Sequence, residues 1–421
     1  MQKIIIINFG SIKQVEFTIK DFMVFVGHSA SGKSLIAKTI YFFSSLNDEL
    51  DDIFYDNNNS IVRPPIDVFK EAIIEKFNSY WNSSIWQADT KISFFFDESK
   101  FLSLSFQDGT PNVTFSEDFI EAFNHHADLL TDNTVQENGK IELNADSHLM
   151  DAICRRFVLC NNPKDYEYFP AGRSIYNLFY KDLSSGLPLI KDFLLRHYIQ
   201  TTNNTRREII KNPIENYIKL VSEKYKPDDL PQSIGFGKKI YQFANQILKG
   251  HYCNENKKDY ICTESGKKYP LDSLSAGQNE AIWTLYNILY FVLFNGAANI
   301  DTTFLVIEEP ESHLSLEDQQ NMILALTLFV KNNCNRLILT THSTGIVKPL
   351  ATLINIVTLF EKDWDLVPKK QRDIVLKFID PELWLDIDDF ECYYVDNGTV
   401  ESMVNREKFG IDIEKMELAF S

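Results

Sequence analysis

The chain has 421 residues, room for roughly two or three domains, and its 44% hydrophobic and 24% charged residues are those of an ordinary globular protein and not a disordered one. With 42 basic and 59 acidic residues the net charge is −17, which excludes coating by nucleic acid through bulk charge alone and leaves only a local basic groove open. Six cysteines with no C-x-x-C pair exclude a zinc ribbon, and no run approaches the ~20 apolar residues of a membrane span. No secretory leader is expected, because Ile4 to Ile7 is too short an apolar core for one. The expectation is a cytoplasmic protein with reduced thiols.

In chain order, Ile4-Ile5-Ile6-Ile7 predicts a first strand. Val15, Phe17 and Ile19 alternate with Glu16, Thr18 and Lys20, the period of a half-buried strand. Phe22-Met23-Val24-Phe25-Val26 predicts a buried strand that stops at Gly27, and residues 35–43 have helical spacing. Residues 47–164 read as an α/β insertion, with an acidic solvated face at Asp48, Glu49, Asp51 and Asp52. Within it a helix is expected over 68–80, strands over 91–96 and 102–106, and a turn at Asp108-Gly109. Glu167-Tyr168-Phe169 returns to a strand that breaks at Pro170. Residues 187–249 are expected to be a helical insertion whose best amphipathic stretch is 209–225. A hairpin is predicted around Tyr252-Cys253 and Asp259-Tyr260-Ile261-Cys262, then a long helix after Ser275. A strand over 303–307, a helix over 316–331 and a strand over 336–340 follow. Asp396-Asn397-Gly398 between two β-like runs predicts a last hairpin.

Four segments carry chemistry. Gly27-His28-Ser29-Ala30-Ser31-Gly32-Lys33-Ser34 fits G-x-x-x-x-G-K-[ST] and sits between a predicted strand and a helix. Glycines let successive N–H groups face a phosphate, and the helix start adds its partial positive charge. Lys33 would reach the terminal phosphates and Ser34 would offer its hydroxyl to Mg²⁺. Second, Phe304-Leu305-Val306-Ile307 predicts a buried strand closed by Glu308-Glu309-Pro310-Glu311. Glu308 suits a metal role and Glu309 that of general base, while Glu311 has no assignment. Third, Leu274-Ser275-Ala276-Gly277-Gln278 precedes a helix. Ser275 either caps it or turns its hydroxyl and the helix start toward a γ-phosphate. Fourth, Leu339-Thr340-Thr341-His342-Ser343 is a strand ending in an imidazole able to hydrogen-bond that phosphate.

In this order the four segments resemble the ABC-type ATPase superfamily, in its soluble RecF-like and structural-maintenance-of-chromosomes branch. The nearest likeness is to overcoming-lysogenization-defect (OLD) ATPases. Asn8-Phe9-Gly10-Ser11-Ile12 is similar to that branch's opening strand, and Glu308-Glu309-Pro310-Glu311 with His313-Leu314 is similar to an E-E-P-E-x-H-L form. Thr340-Thr341-His342-Ser343 is similar to its T-T-H-S switch, and Pro170-Ala171-Gly172-Arg173 to a P-A-x-R element. The resemblance covers residues 1–45 and 270–345 and leaves the middle unaligned. It implies an α/β fold: an ABC-type nucleotide-binding domain with a mixed central sheet and an antiparallel β-subdomain. Residues 1–46, 165–186 and 250–421 would build that domain, with the two insertions between. It also implies ATP and Mg²⁺ as cofactors and a head-to-tail dimer or higher homo-oligomer. ATP held from Gly27 to Ser34 of one copy would meet Ser275, Ala276, Gly277 and Gln278 of the other. Glu309 and His342 would be catalytic, Ser34 and Glu308 would hold the metal, and Arg173 would face nucleotide or partner. His28 departs from the usual proline, Ser275-Ala276-Gly277 from S-G-G, and Glu308 from aspartate. The sequence does not assign a Q-loop glutamine.

No heptad arm is seen, and the segment after His342 is expected to be too short for the TOPRIM nuclease of OLD proteins. Asp386-Ile387-Asp388 reads as a surface turn and not as a nuclease cluster. The expected function is therefore an ATP-driven switch over a separate effector, a nuclease or toxin encoded nearby, in bacterial antiphage defence. The alternative is a RecF-like DNA-repair clamp, for which Arg206-Arg207 and Lys369-Lys370-Gln371-Arg372 are the candidate basic surfaces, although both read first as solvated faces. A transporter subunit is disfavoured by the insertions and by Glu308.

Overall fold

A computed structural model describes residues 2–46, 66–82, 84–107, 109–132, 134–137, 140–143, 165–179, 190–226, 229–295, 302–363, 380–406 and 410–412. The acidic run at 48–52, Asp108 of the expected turn and the basic run at 369–372 lie outside them. The chain divides into two compact units. One comprises Met1–Ile19, Ala30–Tyr166 and Val395–Val400, the other Lys20–Ser29, Glu167–Tyr394 and Glu401–Ser421.

The first unit is built on a five-stranded antiparallel sheet. Its order is Ile12–Thr18, Lys3–Phe9, Trp86–Phe95, Phe101–Gln107, Thr110–Phe115. Ile4 and Ile6 are fully buried while Ile5 and Ile7 are only half-buried, so the four-isoleucine run still obeys the two-residue period. The strand expected over 91–96 begins earlier, because the pairing continues past a register shift to join Phe9 with Trp86. Helix Ile66–Tyr80 buries Phe69, Ile73, Phe77 and Tyr80, a stripe of one helical face. Rings fill the space between helix and sheet. Phe77 lies 4.6 Å from Trp81 and 5.5 Å from Phe42, and Trp86 stacks on Phe106 at 4.6 Å. Many of the phenylalanines lie in this core, where offset and edge contacts add to area burial.

A six-stranded sheet, its four central strands almost wholly in the second unit, has the order Thr399–Ser402, Phe390–Asp396, Phe22–Val26, Arg336–Thr341, Thr303–Glu308, Asp165–Phe169. The pairings of Phe22–Val26 with both neighbours, and of Arg336–Thr341 with Thr303–Glu308, are parallel. Such strands are buried on both faces and read as continuous apolar runs. Accordingly, all five residues of Phe22–Val26 are buried. Helices Ala276–Tyr290 and Leu316–Lys331 share one core with the sheet, through Ile282, Leu285, Leu289, Ile323, Leu326 and Phe329. Three helices fill the expected helical insertion, Phe193–Lys211, Ile214–Ser222 and Gln232–Leu248. Ile199, Ile218, Ile240 and Ile247 bury them in that same core. No described helix is long and apolar enough to cross a membrane.

Three expectations are corrected here. The amphipathic stretch 209–225 is divided: Phe193–Lys211 ends at Asn212, and Pro213 starts Ile214–Ser222 afresh. Proline lacks the N–H a continuous helix needs and turns its predecessor away from helical angles. The thiols are not all reduced. Strands His251–Glu255 and Lys258–Cys262 pair, and Cys253 and Cys262 form a disulfide across a Cα separation of 6.2 Å. Arg206 is not a solvated basic residue. Its Nε and Nη2 donate to the two carboxylate oxygens of Asp259 at 2.9 and 3.1 Å.

Asp259 has a fully buried side chain. It also accepts from the Tyr252 hydroxyl and the Asn254 amide, each at 2.6 Å. This fork clamps the hairpin to the helix Phe193–Lys211. Removing one member of a buried pair strands the other charge, at about 3–5 kcal/mol. Asp259→Ala is therefore expected to lower the unfolding free energy by about that amount in urea titration. Arg207→Ala, next along the helix, should change it by less than ~0.5 kcal/mol.

Candidate functional site

The glycine loop leaves a fully buried strand at Val26 and enters helix Lys33–Ser44 at Gly32. Gly32 has φ 109°, a conformation open to glycine and strained for any other residue. A Cβ there would also stand 3.0 Å from Ser11 Oγ. Ala30 is left-handed too, at φ 62°. Gly32, at the start of the helix, has no side chain with which to cap it. The Ser31 hydroxyl is buried without a hydrogen-bond partner. Lys33 is buried and Ser34 exposed. This donor set fits a phosphate group.

The acidic segment closes the strand Thr303–Glu308. One carboxylate oxygen of Glu308 accepts from the Tyr168 hydroxyl, and the other from the Ala171 N–H at 3.2 Å. Glu309 is left-handed at φ 44°. Its N–H donates to Thr340 O at 2.9 Å. Arg173 is 1% exposed, so it faces neither nucleotide nor partner as expected from the resemblance. Its guanidinium donates to the carbonyls of Pro170 (3.0 Å), Glu308 and Glu309 (3.2 Å).

Glu311, unassigned from sequence, proves central. Its Oε1 accepts from Thr341 Oγ1 at 2.6 Å and from the His342 N–H at 3.0 Å. His342 Nδ1 lies 3.3 Å from the same oxygen and 3.7 Å from Glu309 Oε1. Ser343 donates from Oγ to Gln319 Oε1 at 2.8 Å, and Gln319 donates to Leu314 O at 3.0 Å. Glu309, Glu311, Ser312, His313 and His342 line a cavity of about 510 Å³. Strand pairing makes this assembly. Glu308 stands opposite Thr340, and Thr341 opposite Val26, so the ends of three neighbouring parallel strands carry Glu308-Glu309, His342 and Gly27 side by side. Ligands gather at that edge of an open α/β sheet.

Ser275 caps helix Ala276–Tyr290 in a full capping box: its Oγ accepts from Gln278 N at 3.3 Å, and Gln278 Oε1 accepts from Ser275 N at 3.1 Å. Gln278 also donates to Leu248 O at 2.8 Å. A Cβ on Gly277 would come within 2.5 Å of His313 O, so this helix start rests directly on the loop after Glu311. Ser275 and Ala276 are exposed. Sequence reasoning missed Tyr168, Gln319 and the roles of Glu311 and Arg173. The Glu308-Glu309-Pro310-Glu311 spacing was visible, whereas the turn of Glu311 back toward Thr341 follows from pairing between distant strands.

Burial raises the Glu311 carboxyl above the ordinary glutamate value of 4.5, against the lowering effect of the Thr341 hydroxyl, the His342 N–H and the His342 charge. A raised carboxyl favours the folded state below the ordinary value and loses that advantage as pH rises through the folded value. Glu311→Gln keeps the acceptor oxygen and removes the charge. Its stability relative to wild type should rise as pH increases above 4.5 in paired urea melts, and a parallel pH dependence of the two proteins would refute the assignment.

The sequence profile of a family described as AAA ATPase domain matches residues 1–347. No functionally curated protein matches the chain. Among solved structures it is similar to the SMC head domain from Thermotoga maritima, at 12% identity and TM-score 0.35, covering 95% of this chain and 97% of that one. It is also similar to an Smc head domain with an extended coiled coil bound to the C-terminal domain of ScpA, derived from Pyrococcus furiosus. There the identity is 12%, the TM-score 0.40 and the coverage 100% of both chains.

Proposed function

The chain belongs to the AAA ATPase domain family, and on that premise we propose that it is an ATP-hydrolysing switch whose site is completed by a second copy of itself. The observation that carries this reading is the alignment of Gly27, Glu308-Glu309 and His342 at the ends of adjacent parallel strands. In this reading Gly27, His28, Ser29, Ala30, Ser31 and Gly32 wrap the phosphates with backbone N–H groups, and Lys33 neutralises their charge. Ser34 and Glu308 hold Mg²⁺, which when bound offsets the charge of the phosphate oxygens. Glu308 would do so by exchanging its Tyr168 and Ala171 contacts for the metal. Glu309 takes the proton of the attacking water. His342 donates to the γ-phosphate, its ring steadied by Glu311. Ser275, Ala276, Gly277 and Gln278 form the helix start, exposed at Ser275 and Ala276, that would face the nucleotide of the partner copy.

The finer role follows the likeness to OLD ATPases: ATP-driven closure would control a separate nuclease or toxin in bacterial antiphage defence. A RecF-like DNA clamp is the weaker reading, because Arg206 is already bound to Asp259. A salt series of duplex-DNA binding distinguishes them, since phosphate contact gives a steep negative slope.

Glu309→Gln keeps the hydrogen-bonding shape and loses the base. We expect ATP binding to persist, the hydrolysis rate to fall by about 10²–10⁴-fold, and the ATP-bound dimer or larger assembly to accumulate. Steady-state phosphate release and light scattering with and without ATP measure this. Wild-type turnover by that variant would remove Glu309 from its role.

A further inference from the structure

We propose that Arg173 and Glu280 form a positioning relay that sets the backbone of Glu309 and ties it to the helix headed by Ser275. The proposal rests on the reading of Glu309 as general base. Neither residue would touch nucleotide.

Arg173 is among the largest fully buried side chains of the chain. A guanidinium in that place needs partners, because an unsatisfied buried charge is strongly disfavoured. Its hydrogen-bond partners are backbone carbonyls. Two are the carbonyls of consecutive residues, Glu308 and Glu309, and a third is that of Pro170. The fork therefore grips the turn that carries the acids and not their carboxylates. At Glu309 this grip has a clear consequence. Its φ of 44° is one that side-chain-bearing residues seldom adopt, and such a conformation persists only where the surroundings over-determine it. Here both backbone polar groups are held, the N–H by Thr340 O at 2.9 Å and the carbonyl by Arg173 at 3.2 Å. The direction of the Glu309 side chain is thus set in part by Arg173.

The other end of the relay lies on the helix Ala276–Tyr290. Glu280, 5% exposed, places Oε2 at 3.7 Å from Arg173 Nε, and its Oε1 accepts from the Ser174 N–H at 3.3 Å. It sits little more than one helical turn beyond Ser275 on a rigid element. A shift of that helix, as when its exposed start seats on the partner's nucleotide, is carried through Glu280 to Arg173 and on to the Glu309 turn. The relay makes hydrolysis answer to dimer closure, because the base comes into line only when the Ser275 helix is seated.

Two conservative-sized variants test it, Arg173→Lys, which keeps the charge and loses the fork, and Glu280→Gln, which keeps the shape and loses the charge; a far-UV spectrum and urea melt of each confirm that it folds. The relay predicts a fall in kcat of about 10–100-fold for Arg173→Lys and a smaller fall for Glu280→Gln, with KM within about twofold of wild type. Both variants should still form the ATP-driven assembly. Combining Arg173→Lys with Glu309→Gln should cost no more than Glu309→Gln alone in single-turnover assays, because the two residues would act as one unit. Wild-type kcat in Arg173→Lys, an increase in KM in place of a fall in kcat, or losses that multiply in the double variant would overturn the relay. Absence of hydrolysis by the wild-type chain would instead overturn the reading of the site on which it rests.

Discussion

Parallel pairing of three strands is the constraint on which the rest of the second unit depends. Phe22–Val26, Arg336–Thr341 and Thr303–Glu308 are separated widely in sequence, yet their register sets Val26 against Thr341 and Thr340 against Glu308. A slip of one residue in either pair would turn every side chain to the opposite face and separate the groups at the strand ends. The register is held by packing on both faces: Val24, Val26, Leu305, Ile307, Leu337 and Leu339 enter one core with the covering helices, and the alternate residues Met23, Phe25, Val306 and Ile338 are buried as well. Hydrophobic burial, worth about 25 cal/mol per Å² of apolar surface, is what holds the polar ends in line.

Those polar ends are then locked by a small set of buried groups. Glu311 draws in Thr341 and the His342 backbone, Arg173 grips the carbonyls of Glu308 and Glu309, and Gln319 ties Ser343 to Leu314. Each is mostly or wholly removed from solvent, where hydrogen bonds are strong and unpaired groups costly. Glu309 and His342 themselves stay partly exposed, beside the cavity. A rigid, dry support beneath accessible groups is the arrangement a positioned acid–base pair requires.

Much of this was legible in sequence, and for definite reasons. The buried strands are continuous apolar runs and the helix over 316–331 has a clear apolar spacing, so periodicity located them. The loop from Gly27 to Ser34 announced itself because a phosphate cradle needs particular residue types in a fixed spacing. Residues that act through distant partners were harder. Arg173 read as a surface contact and Arg206 as a solvated charge, since nothing local reveals the carbonyls or the Asp259 carboxylate they meet. Glu311 had no role until the strand register set it beside Thr341. The break at Pro213 was visible in the residue type itself, but the apolar periodicity on both sides of it masked the boundary.

The central claim is that each site is shared between two copies, Lys33 from one and Ser275 from the other. Lys33→Ala removes the phosphate-binding charge. Ser275→Asp keeps the N-cap, for which aspartate is as good as serine, while setting a negative charge where a γ-phosphate would sit. Each variant alone should be inactive. Mixed together, they can form a heterodimer in which one site combines an intact Lys33 with an intact Ser275. The most direct measurement is therefore the ATPase rate of the mixture: the account predicts that activity returns, and a mixture as inactive as its two components would contradict it.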